Sequence, residues 1–165
     1  MAKEEAKEFP LRIATLLYDN ILGTSATLPV EMLRTAEAAV RPKQRNTRRI
    51  EALTLSIDKR SIKSPSGFDI RPSATINDSQ NFDIINLPAL WRNPRPALVK
   101  YKDYVPWLQK QVAQGAIVIA VGTGVCFLAK SGLLDRQPAT THWHYFDQFQ
   151  KDYPNVLLKR QYFIT

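Results

Sequence analysis

The stretch from Ala116 to Asp135, AIVIAVGTGVCFLAKSGLLD, constrains the fold more than any other part of the chain. A short apolar run rich in Ile and Val reads as a buried strand. It stops at Gly122-Thr123-Gly124, and a second apolar segment compatible with a helix begins at once. A strand turning sharply into a helix is where many α/β enzymes hold a nucleophile. Here the turn carries glycine, and the single cysteine, Cys126, stands four residues past Gly122.

The rest of the chain repeats the strand–helix alternation. Leu11–Tyr18 reads as a first strand. LPVEMLRTAEAAV then places Leu28, Met32, Leu33, Ala36 and Val40 at helical spacing, ended by Pro42. Arg49–Ile57 reads as a second strand, and SIKSPSGFDIRP as a hairpin whose turn residues are SPSG. Phe82–Pro88 is a short buried strand. A helix is predicted over about 98–114, with Val105, Leu108 and Val112 on one face and Pro106 imposing a kink or a late start. The strand Ile117–Val121 and a helix through Ala129 follow. An amphipathic helix from about His142 and short strands near 156–158 and 162–164 close the chain. Such alternation predicts an α/β three-layer sandwich, a mostly parallel sheet flanked by helices. Ligands in these sheets bind beyond the carboxyl ends of the strands. The candidate places are the turns after Tyr18, Pro88 and Val121.

The chain has 165 residues, enough for one domain with a substantial core. A single cysteine excludes an intrachain disulfide. With no apolar signal-type start and no run of membrane-spanning length, a cytoplasmic location away from membranes is expected. The net charge of +8 invites comparison with nucleic-acid binders, but RPKQRNTRR at 41–49 holds five of the 23 basic residues and no acidic one. The remaining 18 face 15 acidic residues. The excess is mostly one loop without an aromatic for base stacking, and it is read as a solvated connection, with contact to DNA as the alternative.

Each candidate site has a structural reading beside it. As a dinucleotide fingerprint Gly122-Thr123-Gly124 fails, because the third small position holds Phe127. A Walker loop would need Gly-Lys-Ser/Thr, which is lacking. Cys126 lies between Val125 and Phe127, where a thiol is buried and kept protonated, so it reads as a core residue rather than a nucleophile. His142 and His144 supply two ligands that would diverge on a helix, and metal sites need three or four; no metal and no cofactor is expected. His142 alone stays open between ligand contact and structural packing. Trp91 reads either as a cover for the core or as the wall of a pocket.

VGTGVCFLAKSGLLDRQPATTHWHYFDQFQKDYPNV resembles the DJ/PfpI (class I glutamine amidotransferase-like) superfamily, in particular the N-terminal domains of GlxA-type AraC-family transcriptional regulators. SPSGFDIRPSATIND, FDIINLP and LPVEMLR match other parts of that pattern. The resemblance implies a flavodoxin-like domain over residues 11–165, after a flexible segment at 1–10. It places the family's elbow cysteine on Gly122, its supporting acid on Ser25, and its Gly-Gly after the fourth strand on Ala89-Leu90, followed by Trp91. His142 alone is kept from the catalytic set.

The expectation is therefore a non-catalytic, ligand-sensing domain of an AraC-family regulator. A small-molecule effector would bind at Ser25, Leu90, Trp91, Gly122, Thr123 and His142, with backbone N–H groups at the elbow receiving an anion. The domain would form a homodimer, and DNA would be bound by a helix-turn-helix domain C-terminal to Thr165. The sheet would lack its C-terminal element in this chain, which reads as a fragment of a longer protein. Two alternatives stand beside this. One is an enzyme, an isocyanide hydratase-like lyase or a glyoxal-detoxifying hydrolase, working through Cys126 or a water at His142. The other is a dimerisation module whose crevice is filled by Trp91 and Leu90.

Overall fold

Ile13, Ala14, Thr15 and Leu16 are all buried, and so are Ile85, Asn86 and Leu87. Successive strand residues point to opposite faces of a sheet, so these strands are covered on both sides. The computed structural model describes residues 9–44, 47–78 and 80–162 and has the expected three-layer α/β architecture. Its elements are β1 (Leu11–Leu16), α1 (Gly23–Val40), β2 (Ile50–Ser56), β3 (Ile62–Lys63), β4 (Asp69–Ile70), β5 (Ala74–Thr75), β6 (Ile84–Leu87), α2 (Arg95–Lys100), α3 (Tyr104–Ala113), β7 (Ile117–Ala120), α4 (Val125–Lys130), β8 (Pro138–Ala139), α5 (Phe146–Asp152) and β9 (Leu157–Leu158). Strands β5-β2-β1-β6-β7, in that order, form one parallel sheet. The predicted hairpin is the antiparallel pair β3–β4. None of the described helices is long and apolar enough to cross a membrane.

Helix α1 begins five residues earlier than its apolar pattern predicts. The segment read as a turn is its first turn, and Pro29 therefore lies inside the helix. A proline there removes the hydrogen bond to the carbonyl four residues back, which belongs to Ser25. The buried Asn86 side chain of β6 donates to that carbonyl instead, at 3.1 Å. One sheet residue thus accommodates the proline and ties α1 to β6.

The face of α1 read as core is turned outward. Leu28 is 53% and Met32 63% exposed, Ala36 and Val40 are exposed, and Leu33 is half-buried. Ala26 is the buried residue of this helix. Ala26, Leu33 and Glu37 lie close together around the helix, and this line faces the sheet.

The predicted helix at 98–114 is two helices, α2 and α3, broken at 101–103. Pro106 sits in the first turn of α3, where no hydrogen bond is lost. The buried face of α3 is Tyr104, Trp107, Leu108 and Gln111, not Val105, Leu108 and Val112. Hydropathy misplaces it because Gln111 is polar yet buried. Its Oε1 accepts from the Phe82 N–H at 3.1 Å, and its Nε2 donates to the Gln80 carbonyl at 3.0 Å. The short strands β5 and β8 give no apolar run in the sequence. The strand predicted near 156–158 is present as β9, paired with β8. The strand predicted near 162–164 and the N-terminal segment expected to be flexible fall mostly outside the described residues.

Candidate functional site

Three chain turns meet where β1, β6 and β7 end, and hydrogen bonds weld them together. The Leu22 N–H donates to the Ala89 carbonyl at 2.8 Å and the Trp91 N–H to the Asn20 carbonyl at 2.7 Å. Ser25 Oγ donates to the Leu22 carbonyl at 2.7 Å and accepts from the Ala89 N–H at 2.9 Å. Thr123 Oγ1 accepts from the Leu90 N–H at 3.0 Å and donates to the Leu90 carbonyl at 3.1 Å. Beneath them the Tyr18 hydroxyl donates to the Pro88 carbonyl. Burial pushes the Tyr18 phenol well above its ordinary range, so it stays a donor.

The elbow after β7 is a 3-10 turn, Gly122–Gly124, leading straight into α4. Gly122 has φ 50°, the left-handed conformation that side chains rarely adopt. A Cβ at Gly122 would lie 3.5 Å from that of Ala89 and 3.9 Å from that of His142, ordinary contacts. A Cβ at Gly124 would lie 2.4 Å from both the Leu87 and Pro88 carbonyl oxygens. The first glycine serves the turn; the second lets α4 press against the end of β6.

Above the elbow lies a cavity of about 560 Å³, within the range of small-molecule sites. Its floor is Ala89, Leu90, Gly122 and Thr123, and its walls are Leu22, Trp91, Arg92, Trp143, His144 and Tyr145, with His142 beside the elbow. The Thr141 hydroxyl donates to the Gly122 carbonyl at 3.2 Å, holding the His142 segment to the turn. Trp91 is 50% and Trp143 65% exposed at the rim. Arg92 is the one Arg or Lys in the lining, and no lining residue is acidic. The lining therefore suits a ligand with an apolar body and an anionic or neutral polar end.

Five of the six predicted site residues, Leu90, Trp91, Gly122, Thr123 and His142, line this cavity. Ser25 does not; both faces of its hydroxyl are occupied in joining α1 to the Pro88–Leu90 segment. Trp91 is a wall rather than a core cover. His142 and His144 do not diverge, because they lie on an extended residue and a 3-10 turn instead of one α-helix. Their rings lie 5.6 Å apart and 12° from parallel, and Trp143 stacks on His144 at 3.4 Å. Among the described residues no three His, Cys, Asp or Glu side chains are grouped to hold a metal. Cys126 is fully buried. Burial, then the charge of Asp152, push its thiol far above the ordinary range. Leu22, Ala89, Arg92, Trp143, His144 and Tyr145 line the cavity in addition to the expected residues. Arg92 and Trp143 adjoin predicted residues, and Tyr145 enters only through the 3-10 turn that follows His142.

The profile of the DJ-1/PfpI family matches residues 12–161. Over 93% of its length the chain is 30% identical to the HTH-type transcriptional regulator GbdR of Pseudomonas aeruginosa, of which it spans 40%. It is 33% identical to 86 residues of isonitrile hydratase from Pseudomonas putida, covering 52% of this chain and 37% of that enzyme. The crystal structure of an AraC family transcriptional regulator from Pseudomonas putida superposes with a TM-score of 0.74 at 19% identity, covering 91% of this chain and 76% of that one. The chain thus spans well under half the length of these curated relatives.

Proposed function

The chain belongs to the DJ-1/PfpI family, and we propose that it is a non-catalytic, cytoplasmic regulatory domain that binds a small metabolite in the crevice above the elbow. The observation that carries this reading is Gly122. The strained corner that would present a nucleophile is kept, while it offers only hydrogen to an open cavity. Leu90, Trp91, Thr123 and His142 form the binding surface, and Ser25 supports it from below. The likeness to regulators supports transcriptional control, with DNA bound by a C-terminal helix-turn-helix domain beyond Thr165. An effector regulates such a protein only if it binds two arrangements unequally.

A library of small carboxylates and polar apolar-bodied metabolites, screened by thermal melting, tests the crevice. A true effector at about 100 times its Kd adds roughly 2.7 kcal/mol of stability. For a domain of this size that raises Tm by about 5–10 °C, and Trp91→Ala should abolish most of the rise. No binder, together with a crystal structure in which Trp91 and Trp143 fill the crevice, would favour the structural alternative. The enzyme reading has the partial likeness to isonitrile hydratase behind it, but Cys126 is buried away from the crevice and His142 has no nucleophile beside it.

Self-association is the second part of the proposal. Leu28, Met32, Ala36 and Val40 give α1 an exposed apolar stripe. Exposed contiguous apolar surface marks protein contacts, and a helix face meeting its own copy is the isologous solution. Sedimentation should show a dimer, and Met32→Glu should shift it at least tenfold towards monomer without lowering secondary structure. A parent chain that is monomeric at high concentration would remove this part.

A further inference from the structure

At the opposite end of the sheet, where the parallel strands begin, the last turns of α1 and the start of β2 enclose a groove of about 350 Å³. It is lined by Arg34, Glu37, Ala38, Arg41, Arg49 and Ile50. Arg34 and Arg41 are seven residues apart, so they share one face of α1 about 10 Å apart along its axis. Arg49 lines the groove from the residue just before β2, and its carbonyl accepts from the Leu11 N–H at 2.7 Å, fixing that backbone to the start of β1. The three guanidinium groups meet a single acid, Glu37, whose nearest oxygen is 3.9 Å from Arg41. Among the described residues Arg34 and Arg49 make no ion pair.

Not every arginine here is available. Arg48 donates to the Phe9 and Pro10 carbonyls and to Asp83, and Arg12 is paired with Glu51. Arg34, Arg41 and Arg49 by contrast line the groove together, with the exposed Lys43 near it in sequence. The arginines occupy the opposite flank of α1 from Leu28 and Met32, so a dimer formed through the apolar stripe leaves them open.

We infer that this groove is a phosphate-binding face through which the domain itself touches duplex DNA, outside any helix-turn-helix contact. A sequence pI near 9.7 with Arg clustered on one face is the electrostatic footprint of such binding. Guanidinium groups in convergent array suit phosphate oxygens. No aromatic side chain lines the groove, so the contact is to backbone phosphates and is independent of sequence. The choice of DNA as the polyanion rests on the regulator reading.

The experiment takes this 165-residue chain and a fluorescent duplex of random sequence, with affinity followed by anisotropy against salt. Three phosphate contacts predict a slope of log K against log salt of about −2.7. The double variant R34Q/R49Q should flatten it by about 1.8 and weaken binding at least tenfold at low salt, while melting with the parent because both side chains are exposed. An unchanged slope, or no binding by the parent at low salt, overturns the inference. Displacement by polyglutamate as readily as by duplex, or binding to phosphatidylserine vesicles alone, also overturns it. The regulator reading is tested separately, by promoter binding of the longer gene product, so either can fail without the other.

Discussion

Gly124→Ala is expected to destabilise the domain by about 3 kcal/mol and to lower Tm by about 6–12 °C. Neither carbonyl that the new methyl meets can move aside freely. The Leu87 carbonyl accepts from the Val121 N–H at 2.9 Å, which closes the β6–β7 pairing, and the Pro88 carbonyl accepts from the buried Tyr18 hydroxyl. Relief of the 2.4 Å contacts therefore strains α4 outward or breaks a buried hydrogen bond. Gly122→Ala is the control. Its methyl finds ordinary contacts and bears only the cost of φ 50°, about 1 kcal/mol. Equal losses at the two positions in urea titrations would mean that α4 does not press on β6 as described.

The elbow is legible in the sequence because it combines three strong signals within a few residues: a β-branched run, paired glycines and an immediate apolar helix. Gly122 and Thr123 follow β7 and Leu90 and Trp91 follow β6, so strand ends point to that part of the cavity lining, whereas His142 enters the expectation only through the resemblance. What the sequence could not display is how polar side chains are used. The resemblance sets Ser25 at the place of a supporting acid, while its hydroxyl is a strut between Leu22 and Ala89. Gln111 is polar and buried, which shifted the apparent face of α3. Asn86 compensates for Pro29 across 57 residues of sequence, so the true start of α1 is written in a different strand. The apolar stripe of α1 reads as core in the sequence because periodicity reports a face, not the object it faces. Arg34 lies within α1 while Arg41 and Arg49 flank the loop between α1 and β2, and a count of the 41–49 segment alone misses Arg34.

Gly122→Cys separates the two places at which a nucleophile has been sought. In the native parent, Cys126 should take up no thiol reagent such as DTNB, because it is fully buried and its thiol is held protonated. Reaction then waits for unfolding, which a domain of ordinary stability makes at least about a thousandfold slower than for a free thiol. A cysteine at position 122 would stand on the floor of the open crevice, its Cβ 3.9 Å from that of His142. It should therefore react within about tenfold of a model thiol, giving one labelled group in the native variant and two in urea. Labelling as slow as that of Cys126 would show that the elbow does not open into the cavity. The same variant should leave isonitrile hydration and glyoxal turnover at background. A nucleophile needs its neighbours, and the position of the supporting acid holds Ser25, a neutral side chain already hydrogen-bonded on both sides. Turnover by the variant would mean that His142 and the backbone of the elbow suffice for chemistry, and that the domain is one substitution away from an enzyme.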